Sequence, residues 1–140
     1  MSSESRRLAG LLLVILPTVM VGGVSILTLL INDPAYMRNP LRQDLWRAGH
    51  AHAGVLLLLS LIVLRYADEA DLTARLKGFV RSAAPAAAIL MPAGFFLSVL
   101  ESDATAPNGL IVLAYLGAAV LAAGIFILGL GLLRRPRSVS

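Results

Sequence analysis

The sequence predicts an all-α membrane protein built as a bundle of four transmembrane helices. Composition is the first observation: hydrophobic residues make up 58% of the 140 residues and charged residues only 14%, against about 25% in soluble domains. A water-soluble domain of this size would need more charge to cover its surface, and the sequence has no cysteine. Composition therefore excludes a soluble enzyme, a disordered chain and a disulfide-stabilised scaffold.

Hydropathy along the chain is the second observation. A helix needs about 20 mostly apolar residues to cross the hydrocarbon core of a bilayer, and four segments meet this requirement: 8–31, 45–65, 82–100 and 109–133. The first segment is too long for a signal-peptide core, so we interpret it as a retained helix. The connectors are short, and we expect a single transmembrane domain over residues 1–140.

Basic residues flank the four spans unevenly, which predicts the orientation. Nine Lys and Arg residues lie in the N-terminal tail, in the second connector with its flanks and in the C-terminal tail, whereas the first connector region carries Arg38, Arg42 and Arg47. Cytoplasmic flanks are enriched in Lys and Arg, so we expect both termini in the cytoplasm and the protein in a bacterial plasma membrane. The net charge of +4 is then a topology signal and does not indicate a nucleic-acid partner.

Local signals mark where individual helices begin and break. Asn39 and Pro40 suit a helix cap and first turn, so the second helix is expected to start there. Residues 72–79 place apolar side chains at helical spacing, which predicts a short helix on the inner membrane surface. Pro85 and Pro92 fall inside the third span and are expected to interrupt its hydrogen-bond ladder.

Small residues are arranged for helix packing. Gly117, Gly124 and Gly131 repeat every seven residues and form one stripe on the fourth span. Lipid tails are as apolar as leucine, so association of transmembrane helices relies on close approach of such small residues. We interpret the stripe as a packing device. The alternative for the third span is that a proline-broken helix lines a substrate path, as in transporters.

Histidines enter a span at one place, in the string Arg-Ala-Gly-His-Ala-His-Ala-Gly over residues 47–54. Measured from Trp46 at the expected headgroup level, His50 lies about 6 Å deep and His52 about 9 Å deep. Polar side chains from the other spans are expected at similar depth, which suggests one polar layer: Thr28, Arg47, Ser98, Glu101 and Tyr115. Ionisable residues inside a span usually face the bundle interior and are functional candidates.

Three interpretations of the histidine pair remain open. The first is neutral histidines that are hydrogen-bonded between helices. The second is an axial ligand to haem b or a ligand to a transition metal, supplied by His50 or His52, with Met20, Met91, Glu101 or a second subunit completing the site. The third is a relay for protons or small solutes.

Geometry restricts the ligand hypothesis. Two residues apart on a helix, the histidines point about 200° away from each other and cannot chelate one ion together. His50 is the preferred inward ring, because Gly54 lies one turn below it and leaves room for a planar group.

The strings at residues 39–44, 47–54 and 91–96 resemble a group of four-helix integral membrane proteins from actinobacteria, over most of the chain. That resemblance implies no activity. The second span is also similar to the second helix of haem-copper oxidase and nitric oxide reductase catalytic subunits, where a histidine near the outer face ligates a haem. The similarity would map onto His50 or His52. Those subunits have about a dozen helices and further histidines that this chain lacks, so only a role in holding haem is implied.

The sequence favours a non-catalytic protein. It carries no H-E-x-x-H, C-x-x-C, glycine-rich phosphate loop or Ser-His-Asp set. We expect a small subunit or accessory protein of a larger plasma-membrane assembly, including a respiratory one, whose partners are the lipid bilayer and other membrane subunits or further copies of the chain. The alternatives are a haem- or metal-binding redox protein and a small-solute or proton transporter or channel.

Overall fold

The structure is a computed structural model that describes residues 1–134, and within this range it contains helices and no strands. Four of the helices are long and apolar enough to span a membrane, which confirms the predicted all-α fold with four candidate spans. The helices are α1 (Ser3–Asn32), α2 (Pro34–Met37), α3 (Pro40–Ala67), α4 (Ala74–Leu97) and α5 (Val112–Leu133), with a 3₁₀ turn at Gly109–Ile111 leading into α5.

Side-chain caps define where the helices begin. The Asn39 side chain accepts a hydrogen bond from the Arg42 amide at 3.1 Å, and Pro40 is the first residue of α3. The predicted start of this helix is therefore confirmed. Ser2 caps α1 in the same way by accepting from the Ser5 amide, and Asp33 caps the unpredicted short helix α2.

The third span differs from the prediction in two respects. The separate surface helix over residues 72–79 is wrong, because Thr73 caps α4 and the helix runs from Ala74 straight into the predicted span. A broken helix at Pro85 and Pro92 is also wrong, since α4 is continuous through both, but each proline still leaves a gap in the hydrogen-bond ladder because it has no N–H. Neighbouring helices shield the backbone groups that a proline frees inside a membrane, and α4 is packed between α3 and α5.

The long helices alternate in direction. The Ser2 amide donates to Asp68 at 2.6 Å and the Asp71 amide donates to the Gly131 carbonyl at 3.0 Å, so the start of α1 and the end of α5 lie together. We call this end of the molecule the Asp68 end. The opposite end, where α2, the start of α3 and the end of α4 meet, is the Trp46 end.

The four long helices form an open bundle. The broadest interfaces join α3 to α4 and α4 to α5, and α1 packs chiefly on α3. Within α1 only Ser5 and Leu12 are buried. The order across the bundle is therefore α1, α3, α4, α5, and the two outer helices present most of their surface to the surrounding membrane.

Two clusters of buried side chains form the core. One lies where α1, α3 and α4 meet and comprises Leu12, Leu56, Leu57, Leu64, Ala87 and Ala88. The other lies towards the Asp68 end between α3, α4 and α5 and comprises Val63, Ala67, Ala70, Val80, Ala84 and Leu128. To the first cluster α4 contributes two alanines, and to the second it contributes Val80 and Ala84. These alanines let its backbone approach both neighbours closely.

The glycine stripe of α5 lies against α4 and the connector before it. A methyl group added to Gly117 would lie 2.6 Å from Cγ of Met91, and one added to Gly131 would lie 2.6 Å from Cγ of Leu72. Gly124 meets the Cβ of Ala83 in the same way. A side chain at any of these three positions would require the neighbouring atoms to shift.

Candidate functional site

His50 lies on the face of α3 that packs against α1. A methyl group added to Gly23 would lie 2.9 Å from both Cε1 and Nε2 of His50, and one added to Gly22 would lie 3.9 Å from Nδ1. The ring is half-buried and rests on the α1 backbone at this glycine pair. It makes no hydrogen bond to any group in residues 1–134.

His52 lies on the opposite side of α3 and faces α4. Its Nδ1 is 2.7 Å from the Ala48 carbonyl oxygen. A carbonyl only accepts, so Nδ1 carries the proton and Nε2 is left as an acceptor. The ring also packs on Phe95 with centroids 5.1 Å apart. His52 therefore bonds within its own helix, and the expected hydrogen bonds from the histidines to other helices are not formed.

The other candidate ligands are divided between different parts of the molecule. Met20 lines the same groove as His50. Met91 packs against Gly117 at the α4–α5 interface, and Glu101 is exposed in the connector after α4. Across residues 1–134, no group of three or more His, Asp or Glu side chains lies close enough to hold a metal ion.

A haem ligated through Nε2 of His50 does not fit this arrangement. That nitrogen is the atom that abuts Gly23, and an iron ligand needs an unobstructed lone pair. The space next to Gly54 does exist, because His50, Ala51 and Gly54 line one groove. The residues present therefore provide room for a flat group, but Nε2, the nitrogen that this ligation needs, is blocked by Gly23.

The side chains expected to form a polar layer are not brought together in the bundle interior. Thr28 is exposed and donates to the Val24 carbonyl at 2.9 Å, Tyr115 is 69% exposed, and Arg47 pairs with Asp44 at the surface. Ser98 is buried but donates to the Phe95 carbonyl of its own helix. These groups do not line a shared path for protons or solutes.

A cluster that sequence reasoning missed ties the N-terminal segment to the α3–α4 connector at the Asp68 end. Arg81 donates from Nη2 to Oδ1 of Asp68 at 2.7 Å and from Nη1 to Oε2 of Glu4 at 2.6 Å. The Ser5 hydroxyl and the Ser2 amide also donate to the Asp68 carboxylate, at 3.0 and 2.6 Å. We call these five residues the Asp68 cluster.

The Asp68 carboxylate is strongly stabilised as an anion. Burial acts to raise the pKa of Asp68, but hydrogen bonds from Arg81, Ser2 and Ser5 outweigh it and hold the pKa well below the ordinary value of 3.8. The carboxylate side chain is only 12% exposed and its Arg81 partner 11%. At neutral pH the cluster is therefore a nearly buried ion pair, in which both Nη atoms of Arg81 are hydrogen-bonded and its buried Nε has no partner within residues 1–134.

A second cluster closes the Trp46 end. Arg42 is buried and donates to the carbonyls of Val99 and Leu100 at 3.0 and 3.2 Å, which fixes the end of α4 to α3. Its guanidinium lies 4.6 Å from the Trp46 ring centroid and 5.9 Å from that of Tyr36. The i, i+4 spacing of Arg42 and Trp46 was the available sequence signal, but Arg42 was interpreted only as a topology residue.

Comparison with protein-family models, with curated proteins and with solved structures returned no match.

Proposed function

We propose that the protein is a small non-catalytic subunit or accessory protein of a larger plasma-membrane assembly, and that α5 forms its contact with a neighbouring transmembrane helix. The observation that carries this proposal is a second small-residue face on α5, opposite the glycine stripe. Ala118, Ala119 and Ala122 are exposed there, between Tyr115 and Phe126, which are 69% and 67% exposed.

The two faces of α5 differ in what covers them. At 100° per residue, Ala118 and Ala122 lie on the side of the helix away from Gly117 and Gly124. The glycine face is covered by α4, and the alanine face is left open to the membrane. A lipid-facing helix gains more from large apolar side chains than from alanine, whereas alanine lets another helix approach closely. The composition of this face therefore favours a protein neighbour.

We further propose that the Asp68 end is cytoplasmic. Within residues 1–134 the basic residues of that end are Arg6, Arg7, Arg65, Arg75, Lys77, Arg81 and Arg134, against Arg38, Arg42 and Arg47 at the Trp46 end. Arg135 and Arg137, which the sequence analysis also counted, lie outside the described residues. The bias of Lys and Arg towards cytoplasmic flanks supports this orientation.

The orientation is tested with single cysteines, because the natural chain has none. An Asp103→Cys variant and an Asp71→Cys variant are expressed in intact cells and treated with a membrane-impermeant maleimide. We expect labelling of Asp103→Cys in intact cells and labelling of Asp71→Cys only after the membrane is opened. The reverse pattern would overturn the orientation.

The contact through α5 is tested by cross-linking in native membranes. In an Ala122→Cys variant, a short cysteine-to-amine or cysteine-to-cysteine reagent should give one discrete higher-mass product. Adding a bulky Ala118→Phe substitution to this variant should remove that product, because the phenylalanine ring would cover the small-residue face and keep the neighbouring helix away. The similarity of the second span to haem-copper oxidases makes respiratory complexes the first place to search for the neighbour.

The matched control is Val14→Cys on α1, a residue that is 76% exposed and lies on the other outer helix, away from the proposed contact. We expect no discrete product from this variant. If Ala122→Cys behaves like Val14→Cys in native membranes, the proposed contact is refuted. A product whose partner is the chain itself would identify the neighbour as a second copy.

A further inference from the structure

A groove between α1 and α3 opens towards the lipid. It is a cavity of about 400 Å³, bordered by Leu16, Val19 and Met20 of α1 and by His50, Ala51 and Gly54 of α3. Met20 is 70% exposed and Ala51 is exposed as well, so a molecule dissolved in the bilayer can enter from the side. The volume lies within the range of small-ligand sites.

Among the residues that the structure describes, His50 is the only polar side chain that borders this groove. The ring lacks a hydrogen-bond partner within residues 1–134, and it lies about 6 Å below Trp46 along the helix. A polar group without a hydrogen-bond partner is unfavourable in hydrocarbon, because no water is present to bind it. Nε2 packs against Gly23, so the nitrogen open to a ligand is Nδ1, which is 3.9 Å from a methyl group added to Gly22. In the neutral tautomer with its proton on Nδ1, the imidazole has one N–H donor, and a ligand with a carbonyl oxygen would accept from it.

The small residues of α3 determine the shape of the bound group. Ala51 and Gly54 lie next to His50 along the groove, and a methyl group added to Gly54 would meet only Val19, at 3.7 Å. This leaves a shallow floor on which a flat ring can lie. Farther from Trp46, Val55 and Leu58 continue the groove with apolar side chains, which suits a hydrocarbon tail.

We propose that this groove binds an isoprenoid quinone, with one ring carbonyl accepting a hydrogen bond from His50 and the isoprenoid tail lying along Val55 and Leu58. A phospholipid suits the groove less well. Within residues 1–134 no Lys or Arg borders the groove, so a phosphate would lack the cation partners that it usually finds, and the polar group lies below the headgroup level. The proposal concerns binding alone and is independent of the proposed α5 contact.

The test uses the full chain in nanodiscs and a naphthoquinone with a short isoprenoid tail. Trp46 is the single tryptophan of the chain and lies one helical turn from His50, so quenching of its fluorescence reports occupancy. We expect quenching that saturates with quinone concentration. His50→Leu should weaken the affinity about threefold to tenfold, the range of one hydrogen bond, and His50→Gln should restore part of it.

Two further variants separate binding from altered folding. Ala51→Leu narrows the groove from an exposed position, so the fold should persist while the affinity falls. His52→Leu removes a histidine from the opposite face of α3 and should leave the affinity unchanged. Helical content by circular dichroism checks that each variant is folded.

Three results would overturn the proposal. The first is quenching that rises linearly with quinone content in every variant, which means collision in the lipid. The second is equal competition by an isoprenoid alcohol without a ring, which means that the groove accepts any hydrocarbon chain. The third is a Soret band in the purified protein that disappears in His50→Leu, which means that the histidine holds haem.

Discussion

Arg81 and Asp68 form an ion pair that joins the start of α4 to the end of α3, with Nη2 and Oδ1 2.7 Å apart and each side chain about nine-tenths buried. Arg81 also holds Glu4, which lies 77 positions earlier in the chain. Inside the spans, by contrast, serine and threonine hydroxyls such as those of Ser60 and Thr28 donate to their own helix. Polar contacts between helices are therefore concentrated at the two ends of the bundle.

Removing one partner of this pair should destabilise the protein substantially. Asp68→Asn or Arg81→Gln leaves the other charge nearly buried without its counter-ion. We expect a loss of about 2–4 kcal/mol in the free energy of unfolding, slightly below the full range for a buried pair because a tenth of each side chain reaches solvent. Unfolding by SDS in mixed micelles, followed by circular dichroism, measures the change.

Arg65 provides the matched control for Arg81, since it pairs with Glu69 at the same end but is 59% exposed. Arg65→Gln should cost about 0–1 kcal/mol. The double variant that combines Asp68→Leu with Arg81→Met should lose less free energy of unfolding than Asp68→Asn or Arg81→Gln alone. In the double variant neither buried charge of the pair is left without its partner. Equal losses for Arg81→Gln and Arg65→Gln would contradict the assignment of a buried pair.

Stability should depend on pH through Asp68. Burial raises the pKa of Asp68, and the hydrogen bonds from Arg81, Ser2 and Ser5 lower it further than burial raises it. A carboxylate with a depressed folded-state pKa stabilises the fold fully above its unfolded value, near 3.8, and loses that contribution as the pH falls below it. We expect a steady melting temperature from pH 7 to about 5 and a decline below about 4.

The control for this pH dependence is the Asp68→Asn variant, which lacks the titrating group. Its melting temperature should be lower at neutral pH and should change less between pH 5 and pH 3. A variant that declines as steeply as the natural protein would assign the acid sensitivity to other carboxylates.

Arg42 should stabilise the Trp46 end through its hydrogen bonds and its contact with the Trp46 ring, in addition to its charge. It donates to two carbonyls beyond the end of α4 and lies over the Trp46 ring. Arg42→Leu should cost about 2–4 kcal/mol from the lost charged hydrogen bonds and cation–π contact. Arg42→Lys should recover only part, since an ammonium lacks the planar fork.

Arg38 is the control at the same end, because its side chain is exposed and lies outside this cluster. Arg38→Leu should change the unfolding free energy by no more than about 0.5 kcal/mol. The fluorescence of Trp46 should shift in Arg42→Leu and stay constant in Arg38→Leu. A loss of the same size in both variants would refute the structural role of Arg42.

The sequence was sufficient to predict the four spans and the start of α3, because hydropathy and capping are local properties of the chain. It was insufficient for the Asp68 cluster, whose N-terminal members are hydrogen-bonded to residues 63 to 79 positions later in the chain. The same limit applied at the histidines. Helix geometry was enough to predict that the two rings point in opposite directions. It could not predict that His50 rests on Gly22 and Gly23, because this contact depends on which helix lies beside α3.

Close packing of α5 on α4 should make two glycines of the same helix respond oppositely to substitution. A methyl group added at Gly124 would collide with the Cβ of Ala83, whereas one added at Gly129 meets nothing within 4 Å. Gly124→Ala should therefore cost about 1–3 kcal/mol through overpacking. Gly129→Ala should be neutral or stabilise by about 0.5–1 kcal/mol, because alanine has the higher helix propensity. Unfolding of both variants by SDS measures the difference in their stability. If the Gly124→Ala protein is as stable as the Gly129→Ala protein, α4 and α5 do not approach this closely in the membrane.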